Sequence, residues 1–386
     1  MVNSIDGFRR GLTELGHEVY IFCPDYKERI NEKNIIRCKS FPYPGKSKYH
    51  YILPFTNRVK AIARSMSIIH SQHPFTMGQR AAKLSEEFNI PFIFTNHTQY
   101  EQYAHYAPVG KGLVKWYMKS YIKNFVKKCQ LIIAPAQGIK DKLLEYKVET
   151  PIEIVPNGID LKRFKNRNKN FIKDKYNLKN WPMFVFVGRI AEEKNLTFLI
   201  NAFTKVLEKH HECYLILVGG GPEQQRYQDL ITTSQSRTGR FWLKDRVIIT
   251  GFVPYEEIPD YLASSDIFVS TSKTEVHPLT VLEAMATGLP SVVFDTVGTG
   301  EIIINNIDGL KTKTDNIKDY VWAMIRLLEN KTIRLELGHL ALEKSKRYSY
   351  LETSKIMEKV YNKVLEKYSS KSSKATLPSM VKEENV

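Results

Sequence analysis

Glu275-Val-His-Pro-Leu-Thr-Val-Leu-Glu283 places two carboxylates eight residues apart, at the start of an apolar stretch. Pro278 predicts the first turn of a helix, because the backbone N–H groups of that turn have no helical acceptor and proline has no N–H to leave unbonded. The N–H groups of Leu279 and Thr280 would then be free to bind an anion. Since a loop precedes the helix, we expect Glu275 and Glu283 to lie at different depths of one cleft. An acidic flank on an ordinary amphipathic helix would give the same pattern, so the surrounding sequence has to decide.

On both sides of this stretch, short apolar runs alternate with helical patterns. The runs are 67–70, 90–95, 131–135 and 152–156 in the first half, and 183–188, 214–219, 247–251, 267–270 and 291–294 in the second. Runs that are apolar throughout predict strands of parallel sheets covered on both faces. The sequence therefore predicts an α/β protein of two doubly wound, Rossmann-like domains that face a cleft.

The changes in composition predict the domain boundaries. We expect an N-terminal domain over 1–160, a Lys/Asn-rich linker over 161–180 and a C-terminal domain over 181–350. Residues 351–368 predict a C-terminal helix that packs back on the N-terminal domain, and the Ser/Lys-rich tail 369–386 predicts disorder. The chain starts with a helical pattern rather than a strand.

The cysteine content and the distribution of charge indicate the cellular compartment and the kind of partner to expect. The four cysteines of the 386 residues include no C-x-x-C pair, so no disulfide framework or zinc site is indicated, and a reducing cytosol is expected. No apolar run is long enough to cross a bilayer, and no signal peptide is visible. Residues 33–128 contain 16 Lys and Arg but only three Glu, which is most of the net charge of +16. Such a basic surface predicts an anionic partner, although a merely solvated basic face stays an alternative.

Two glycine-containing segments follow predicted strands of the second half. Gly188-Arg189 leads to Lys194, and two cations in a cleft can neutralise a diphosphate, Arg through forked hydrogen bonds and Lys as a point charge. Gly219-Gly-Gly221 is a weaker signal, because many strand-to-helix turns are glycine-rich. The chain has no D-x-D, P-loop or H-E-x-x-H, so we expect Arg, Lys and helix N-termini, rather than a metal, to hold a diphosphate.

His97 follows the apolar run 90–95, at the strand end where open α/β sheets place ligand contacts. A single histidine is more often a packed or solvated residue. The aromatic and polar residues that follow it, up to Tyr106, favour a site.

The segment 111–128 predicts a membrane-binding helix. Its lysines recur every fourth residue and therefore share one broad side, next to an aromatic and apolar side. That arrangement suits an anionic membrane interface, although a core helix with a lysine-rich solvent face is an alternative. The membrane-binding candidates are Lys111, Lys115, Trp116, Lys119, Lys123 and Lys127. Nucleic acid is not expected as a partner, because no groove-reading motif is present.

Several motifs together carry a family resemblance. They are Pro156-Asn-Gly-Ile-Asp160, Gly188-Arg189 with Glu193-Lys194-Asn195, Gly219-Gly-Gly-Pro-Glu223, Ser265-Asp266 with the strand after it, and the two glutamates with Glu283-Ala-Met-Ala-x-Gly-Leu-Pro. In order and spacing the chain resembles the family-4 retaining glycosyltransferases of the GT-B fold, over roughly residues 2–368.

The resemblance implies a role for each candidate residue. Arg189 and Lys194, after Gly188, would neutralise the diphosphate of a nucleotide sugar and stabilise the departing nucleotide. Glu283 would bind the ribose hydroxyls, and Glu275 would face the donor sugar. The N–H groups at Leu279 and Thr280 would reach sugar or phosphate oxygens, and His97 would contact the donor hexose when the cleft closes.

Within the family, the stretch 95–106 is similar to bacterial diacylglycerol glucosyltransferases. This similarity implies transfer of glucose, or less readily galactose, from a UDP-sugar to diacylglycerol, without a metal, by a cytoplasmic enzyme bound to the inner face of the cell membrane. Two alternatives stay open: an enzyme of the same fold acting on a saccharide or polyprenyl-linked acceptor, and a non-catalytic UDP-sugar-binding homologue.

The sequence departs from the family in two places. His277-Pro278 replaces the more usual aromatic-Gly or Gln-Gly pair, which removes one backbone N–H. Family members also begin with a strand and a Gly-Gly loop before the helix that opens this chain, so about fifteen residues are expected to be missing before Val2.

Overall fold

The computed structural model describes residues 1–25, 33–42, 50–100, 110–235 and 242–375. The chain divides into two compact units. The first comprises Met1–Ala134, Lys140–Val155 and the C-terminal segment from Ser354, and the second comprises Pro135–Ile139 and Pro156–Thr353. Each is described by itself.

The first unit contains short strands and helices, and the first three residues of the last helix in the series belong to the second unit. They are α1 (Val2–Glu14), β1 (Ile21–Pro24), β2 (Ile35–Cys38), β3 (Ser40–Pro42), β4 (His50–Ile52), α2 (Asn57–Arg64), β5 (Ile69–Ser71), α3 (Thr76–Phe88), β6 (Phe92–Thr95), α4 (Lys111–Val126), β7 (Leu131–Ala134), α5 (Gln137–Glu145) and β8 (Ile152–Ile154). Strands β5, β6, β7 and β8 form a parallel sheet in that order. Strands β1 and β2 pair in parallel, and β3 and β4 form an antiparallel pair.

The core of the first unit explains why β6 and β7 read as continuous apolar runs. All four residues of each strand are buried. Ile93 and Ile133 pack in one cluster with Leu12 of α1. The same cluster contains Met357, Val360 and Val364 from the last helix, α14 (Tyr350–Ala375). Within this unit, the C-terminal segment therefore supplies one apolar stripe of the core.

The second unit is built on one six-stranded parallel sheet. Its elements are α6 (Phe171–Tyr176), β9 (Met183–Val187), α7 (Leu196–Leu207), β10 (Tyr214–Val218), α8 (Gln224–Thr233), β11 (Val247–Ile249), α9 (Ile258–Ala263), β12 (Ile267–Ser270), α10 (Leu279–Ala286), β13 (Ser291–Phe294), α11 (Thr299–Ile302), β14 (Gly309–Thr312), α12 (Ile317–Glu329) and α13 (Lys331–Ser345). The strand order is β11-β10-β9-β12-β13-β14. This is the doubly wound order, in which the chain leaves β9 to one side and later returns to its other side.

Both faces of this sheet are covered by a core. Phe184 and Phe186 of β9 pack on one face with α7 and α12, and Val185 packs on the other face with α9 and α10. A fully buried parallel sheet needs apolar residues on both sides of each strand, and this requirement produced the apolar runs in the sequence.

Residues 161–180 are not the linker that their polar composition predicted. They contain a 3-10 helix, Leu161–Phe164, and helix α6, and both belong to the second unit. Phe164 and Ile172 are buried among the residues that cover the sheet. Two apolar anchors are enough to hold this segment on the core, although lysine and asparagine dominate its composition.

The end of the chain also differs from expectation. Helix α14 continues to Ala375, so the disorder predicted from Ser369 does not apply to the first seven residues of the tail. The rest of that predicted tail, 376–386, lies outside the described residues. In the part of the chain that the structure describes, no helix combines the length and the apolar character that crossing a bilayer requires.

Candidate functional site

The strand order of the second unit fixes where a ligand site is expected. Strands β9 and β12 are parallel neighbours, and the chain passes from β9 to one side of the sheet and from β12 to the other. Ligands of doubly wound sheets bind outside the carboxyl ends of the two strands where the order reverses. The loop that starts at Gly188 and the loop from Thr271 to Pro278 follow these two strand ends.

An ion pair joins these two loops. Lys194 Nζ contacts Glu275 Oε1, and the two side chains are 19% and 24% exposed. The Thr271 hydroxyl donates to the carbonyl of Lys194 at 3.0 Å, which ties the loops together at the backbone as well. The structure therefore brings together a cation and a carboxylate that are 81 residues apart in the sequence.

Arg189 lies on the same loop as Lys194 and has a different partner. Its guanidinium donates to Glu193 Oε1 at 2.6 Å, while 54% of its side chain stays exposed. A guanidinium with this much exposed surface can be reached by a phosphate oxygen. In this structure each predicted diphosphate-binding cation thus contacts a carboxylate.

The glycines after β9 and β10 hold their two loops against each other. A Cβ atom on Gly219 would lie 2.0 Å from the carbonyl oxygen of Gly188, and one on Gly221 would lie 2.1 Å from that of Ile190. In the other direction, the N–H of Ile190 donates to the carbonyl of Gly220 at 3.0 Å. The glycine-rich segment, a weak signal in the sequence, is required here because the backbones touch.

Helix α10 begins one residue later than predicted. Pro278 is its N-cap, with extended backbone (φ −72°, ψ 119°), and Leu279 is the first helical residue. Pro278 therefore precedes the first turn instead of lying in it. The N–H groups of Leu279 and Thr280 are in the first turn, where an α-helix leaves them without helical acceptors. Both residues are half-buried.

His277, just before this helix, is buried and uncharged. It is 7% exposed, and burial lowers the pKa of its imidazole to about 4. Its carbonyl accepts a hydrogen bond from Asn157 Nδ2 at 3.0 Å. Its Nδ1 atom has no hydrogen-bond partner among the described residues. The residue that departs from the family pattern is thus packed into the base of the loop that carries Glu275.

Glu283 is far more buried than Glu275, with an exposure of only 2%. Its Oε1 accepts a hydrogen bond from the Tyr255 hydroxyl at 3.0 Å. Burial raises the pKa of the Glu283 carboxyl, while that hydrogen bond and the charge of Arg163 oppose the rise. The Arg163 guanidinium lies over the Tyr255 ring, 3.7 Å from its centre. The two glutamates therefore do lie at different depths of the second unit.

His97 follows β6 in the first unit, where a neighbouring side chain fixes its orientation. Its Nε2–H donates to Gln72 Oε1 at 2.7 Å, and burial lowers the pKa of the imidazole to about 3. The neutral ring then presents Nδ1 as an acceptor. The stretch that suggested the diacylglycerol enzymes continues into 101–109, which lies outside the described residues. That His97 joins Glu275 in one site stays a prediction.

The predicted membrane helix, α4, presents a mixed surface. Lys115, Lys119 and Lys127 are exposed and Lys123 is half-buried, whereas nothing is described of the Lys111 side chain. Trp116 is 65% exposed, and the Lys119 ammonium lies 4.7 Å from the centre of the Tyr146 ring.

The apolar side of α4 divides along the helix. Near its end, Ile122, Phe125 and Val126 are buried in the first unit, whereas Leu113, Trp116 and Tyr117 near its start are exposed. The aromatic side is therefore core in one half of the helix and surface in the other, and the sequence pattern alone did not separate the two.

Sequence reasoning missed three residues of these sites. Gln72, Arg163 and Tyr255 make contacts with residues far along the chain, and none lies in a motif. A polar residue two positions after the predicted strand 67–70 was the available signal for Gln72. Among the described residues, no group of His, Cys, Asp and Glu could hold a metal ion.

Two family models match this chain. The model described as Glycosyltransferase Family 4 matches residues 1–163, and the one described as Glycosyl transferases group 1 matches residues 168–344. Alpha-monoglucosyldiacylglycerol synthase of Acholeplasma laidlawii is 28% identical over 400 aligned positions, covering 97% of this chain and 96% of that protein. The synthase of the same name from Streptococcus pneumoniae is 29% identical over 317 positions, covering 80% of this chain and 69% of that protein.

A solved structure shows the same fold. Anabaena HepE in complex with UDP and glucose has a TM-score of 0.68 and 19% identity, covering 79% of this chain and 80% of that one. The family models, the similarity to the two synthases and the parallel sheets of the two α/β units agree with one another. The chain is a family-4 glycosyltransferase of the GT-B fold, and it resembles the diacylglycerol glucosyltransferases.

Proposed function

We propose that the protein transfers a hexose, glucose in the first instance, from a UDP-sugar to diacylglycerol and makes a monohexosyldiacylglycerol. One observation carries the proposal: Arg189, Lys194 and the buried Glu283 lie on segments that gather at the strand-order reversal of the second unit. The names of the two synthases, one of them similar over nearly its whole length, support the sugar and the acceptor. The UDP and glucose held by HepE support the donor.

The donor would be held mainly by charge and by backbone N–H groups. Arg189 and Lys194 would bind the diphosphate, and the N–H groups of Leu279 and Thr280 would reach phosphate or sugar oxygens. Glu283 would accept hydrogen bonds from the ribose hydroxyls. Binding of the diphosphate would draw the Lys194 ammonium away from Glu275, and this carboxylate would then face the donor sugar.

The reaction would proceed with retention of configuration. The bond from the anomeric carbon to the phosphate oxygen breaks, and the oxygen of the diacylglycerol 3-hydroxyl bonds to that carbon on the same face. The hydroxyl proton passes to the departing phosphate oxygen. Negative charge develops on UDP as it leaves, so Lys194 and Arg189 stabilise the transition state more than the ground state. We propose that these two cations, and no metal cofactor, supply this stabilisation.

The enzyme would meet its acceptor at the inner face of the cell membrane. The exposed lysines of α4 and the exposed Trp116 support this proposal, because cationic and aromatic side chains together favour an anionic lipid interface.

Replacing Lys115, Lys119 and Lys123 together by alanine should weaken binding to anionic vesicles. The loss should be largest at low salt, where screening is weak.

The test of the reaction is transfer of labelled glucose from UDP-glucose into vesicles that contain diacylglycerol, with and without phosphatidylglycerol. A labelled monoglucosyl lipid, formed more rapidly with the anionic lipid, would support both the reaction and the membrane face. A labelled product only with a polyprenyl-linked or soluble saccharide acceptor would favour that alternative. UDP-glucose binding without transfer to any acceptor would favour the non-catalytic alternative.

A further inference from the structure

Arg163 lies in the 3-10 helix Leu161–Phe164, outside the motifs that predicted the donor site. We propose that Arg163 is a positioning residue of that site: acting through Tyr255, it fixes the Glu283 carboxylate and supplies the positive charge that this buried group needs in order to bind the donor ribose. The proposal rests on the proposed role of Glu283 at the ribose hydroxyls. It goes beyond that role because it assigns part of ribose recognition to the segment 161–180, which the sequence predicted to be a linker.

The need for such a residue follows from the burial of Glu283 in helix α10, where it is 2% exposed. A carboxylate that is removed from water loses its hydration, so its charged form has to be stabilised by hydrogen bonds or by a cation. The Tyr255 hydroxyl donates one hydrogen bond to Oε1 at 3.0 Å. No Lys, Arg or His in the described part of the chain forms an ion pair with Glu283. A cation can therefore stabilise this carboxylate only from beyond contact distance.

Arg163 holds Tyr255 at two points. The guanidinium carbon lies 3.7 Å from the centre of the Tyr255 ring, and Nη2 donates to the Tyr255 carbonyl at 2.7 Å. A planar guanidinium can cover an aromatic ring and form directed hydrogen bonds at the same time. Because the ring cannot turn freely beneath the guanidinium, the direction of the Tyr255 hydroxyl toward Glu283 is fixed.

The positive charge of Arg163 is not used in an ion pair with any carboxylate that the structure describes. Arg167, on the same segment, shows the contrast, since its guanidinium lies 3.7 Å from a carboxylate oxygen of Asp260. Burial raises the pKa of the Glu283 carboxyl, whereas the hydrogen bond from Tyr255 and the charge of Arg163 oppose this rise. The hydrogen bond and the charge therefore both favour the ionised carboxylate.

Apolar contacts hold the 3-10 helix beside α10. Phe164 is buried, and it lies in one core cluster with Val281 and Leu282 of α10. Leu161, at the other end of the short helix, packs against the same cluster. The helix that carries the arginine and the helix that carries the glutamate thus share one core, so packing sets the distance from the guanidinium to the carboxylate.

An ionised carboxylate suits a ribose better than a neutral carboxyl group does. The 2′ and 3′ hydroxyls can each donate a hydrogen bond, and both oxygens of a carboxylate accept. A protonated carboxyl group would present a donor at one of these positions. Loss of the Arg163 charge should therefore weaken the binding of the ribose hydroxyls selectively, whereas an arginine that only braced Tyr255 would affect stability alone.

The test measures ribose recognition by isothermal calorimetry, with the full chain, UDP, 2′-deoxy-UDP and 3′-deoxy-UDP. We expect the wild type to bind UDP at least about tenfold more tightly than one of the deoxy analogues, because a charge-assisted hydrogen bond is lost. Arg163→Met leaves an unbranched, uncharged side chain on the Tyr255 ring and should reduce this preference to about threefold or less. Arg163→Lys keeps the charge and should keep most of the preference.

The matched control is Lys162→Met, which removes an exposed cation from the neighbouring position of the same 3-10 helix. It should keep the preference of the wild type for UDP. Because Arg163 acts through Tyr255, Arg163→Met should also change the preference less in a Tyr255→Phe background than in the wild type. An equal loss in Lys162→Met would show a general effect of charge and would overturn the proposal. So would a wild-type preference in Arg163→Met, or a wild type that does not distinguish UDP from either analogue.

Two further points keep the test decisive. If melting shows that Arg163→Met is unfolded, Arg163→Gln removes the same charge and keeps a polar side chain that can still donate to the Tyr255 carbonyl. No lipid acceptor is present, so a failed glucose-transfer assay leaves this result unaffected. Conversely, a wild type that distinguishes UDP from the analogues, with an Arg163→Met variant that does so equally well, would refute the role of Arg163 and leave the transfer reaction standing.

Discussion

In each unit, polar residues lie at the carboxyl ends of the parallel strands, but the chemistry of these residues differs between the units. In the first unit, the residues at the ends of β5 and β6 are neutral and joined by hydrogen bonds: His97 to Gln72 at 2.7 Å, and His70 to Thr95 at 2.7 Å. In the second unit, the loops after β9 and β12 hold charges, of which Lys194 is paired across the loops. Both arrangements use polar residues that lie at the carboxyl ends of parallel strands or in the loops that follow them.

The neutral groups of the first unit and the charged groups of the second unit suit different parts of a nucleotide sugar. Neutral imidazole and amide groups suit the hydroxyls of a sugar, which both donate and accept hydrogen bonds. Guanidinium and ammonium groups suit a diphosphate, whose charge neutral donors cannot balance. The comparison holds if losing a charge at the second edge costs much more turnover than losing a hydrogen bond at the first.

The largest effect is expected from the charged edge. Lys194→Ala and Glu275→Ala should each lower kcat by about 10²–10³-fold, because Lys194 would neutralise the charge that develops on the departing nucleotide and Glu275 would contact the donor sugar as the bond breaks. Steady-state transfer from UDP-glucose measures this. Lys313→Ala, which removes an exposed lysine of the same unit, should leave kcat unchanged. A wild-type kcat in either site variant would contradict our assignment of the site.

Acid should destabilise both units through their buried neutral histidines. The pKa values of His70 and His277 are lowered to about 3 and about 4 in the folded chain, from 6.5. As the pH falls below 6.5, the unfolded chain therefore binds protons before the folded chain does. The contribution of each histidine to the free energy of unfolding is complete above pH 6.5 and is lost as the pH falls toward the folded pKa. We expect a loss of about 1.4 kcal/mol per pH unit for each histidine.

Urea unfolding at a series of pH values between 7.5 and 5 measures this loss. His277→Gln should reduce the slope of the free energy of unfolding against pH by the contribution of one histidine. His339→Gln, at an exposed position, is the matched control and should not change the slope. The same slope in both variants would show that His277 is not held neutral.

A smaller effect on turnover is expected from the neutral edge. Gln72→Ala removes the acceptor that holds the Nε2–H of His97, and kcat should fall about tenfold because the imidazole can then turn. Gln72→Glu should restore the orientation but raise the pKa of His97, so its kcat should fall with decreasing pH where that of the wild type is flat. If Gln72→Ala lowers stability alone and leaves kcat unchanged, Gln72 does not position His97 for turnover.

The smallest effect concerns the support of Glu283. Tyr255→Phe removes a hydrogen bond that lowers the pKa of the carboxyl, so this pKa should rise further and UDP should bind about threefold more weakly. Calorimetry with UDP measures the change. Tyr176→Phe also removes a hydroxyl-to-hydroxyl contact in the second unit and should not alter UDP binding. An unchanged affinity of Tyr255→Phe for UDP would contradict the proposal that Glu283 binds the ribose hydroxyls.

The strands that are apolar throughout could be read from the sequence, and the strands of mixed composition could not. Strands such as β9 and β12 are apolar throughout because both faces of the sheet are covered. Strand β14, with the sequence Gly-Leu-Lys-Thr, and the short half-exposed strand β2 carry no comparable pattern. They exist because of their partners, which local sequence does not reveal.

The site divides in the same way. Gly188, Arg189, Lys194 and Glu283 could be chosen as candidates because they stand at fixed places in motifs that follow or precede strands. Tyr255 could not, since its role depends on a contact with a residue 28 positions away. That Lys194 contacts the carboxylate of Glu275 was also hidden, because this ion pair depends on how the loops after β9 and β12 meet.

The contact between the loops after β9 and β10 limits how this enzyme can change. Gly219 and Gly221 face carbonyl oxygens so closely that no side chain fits, and no compensating mutation can move a backbone oxygen cheaply. In a random library, variants at these two codons should vanish whatever the selection, while the exposed Phe252 nearby should tolerate change. Attempts to evolve a new donor preference should therefore leave the two glycines untouched and vary the side chains around them.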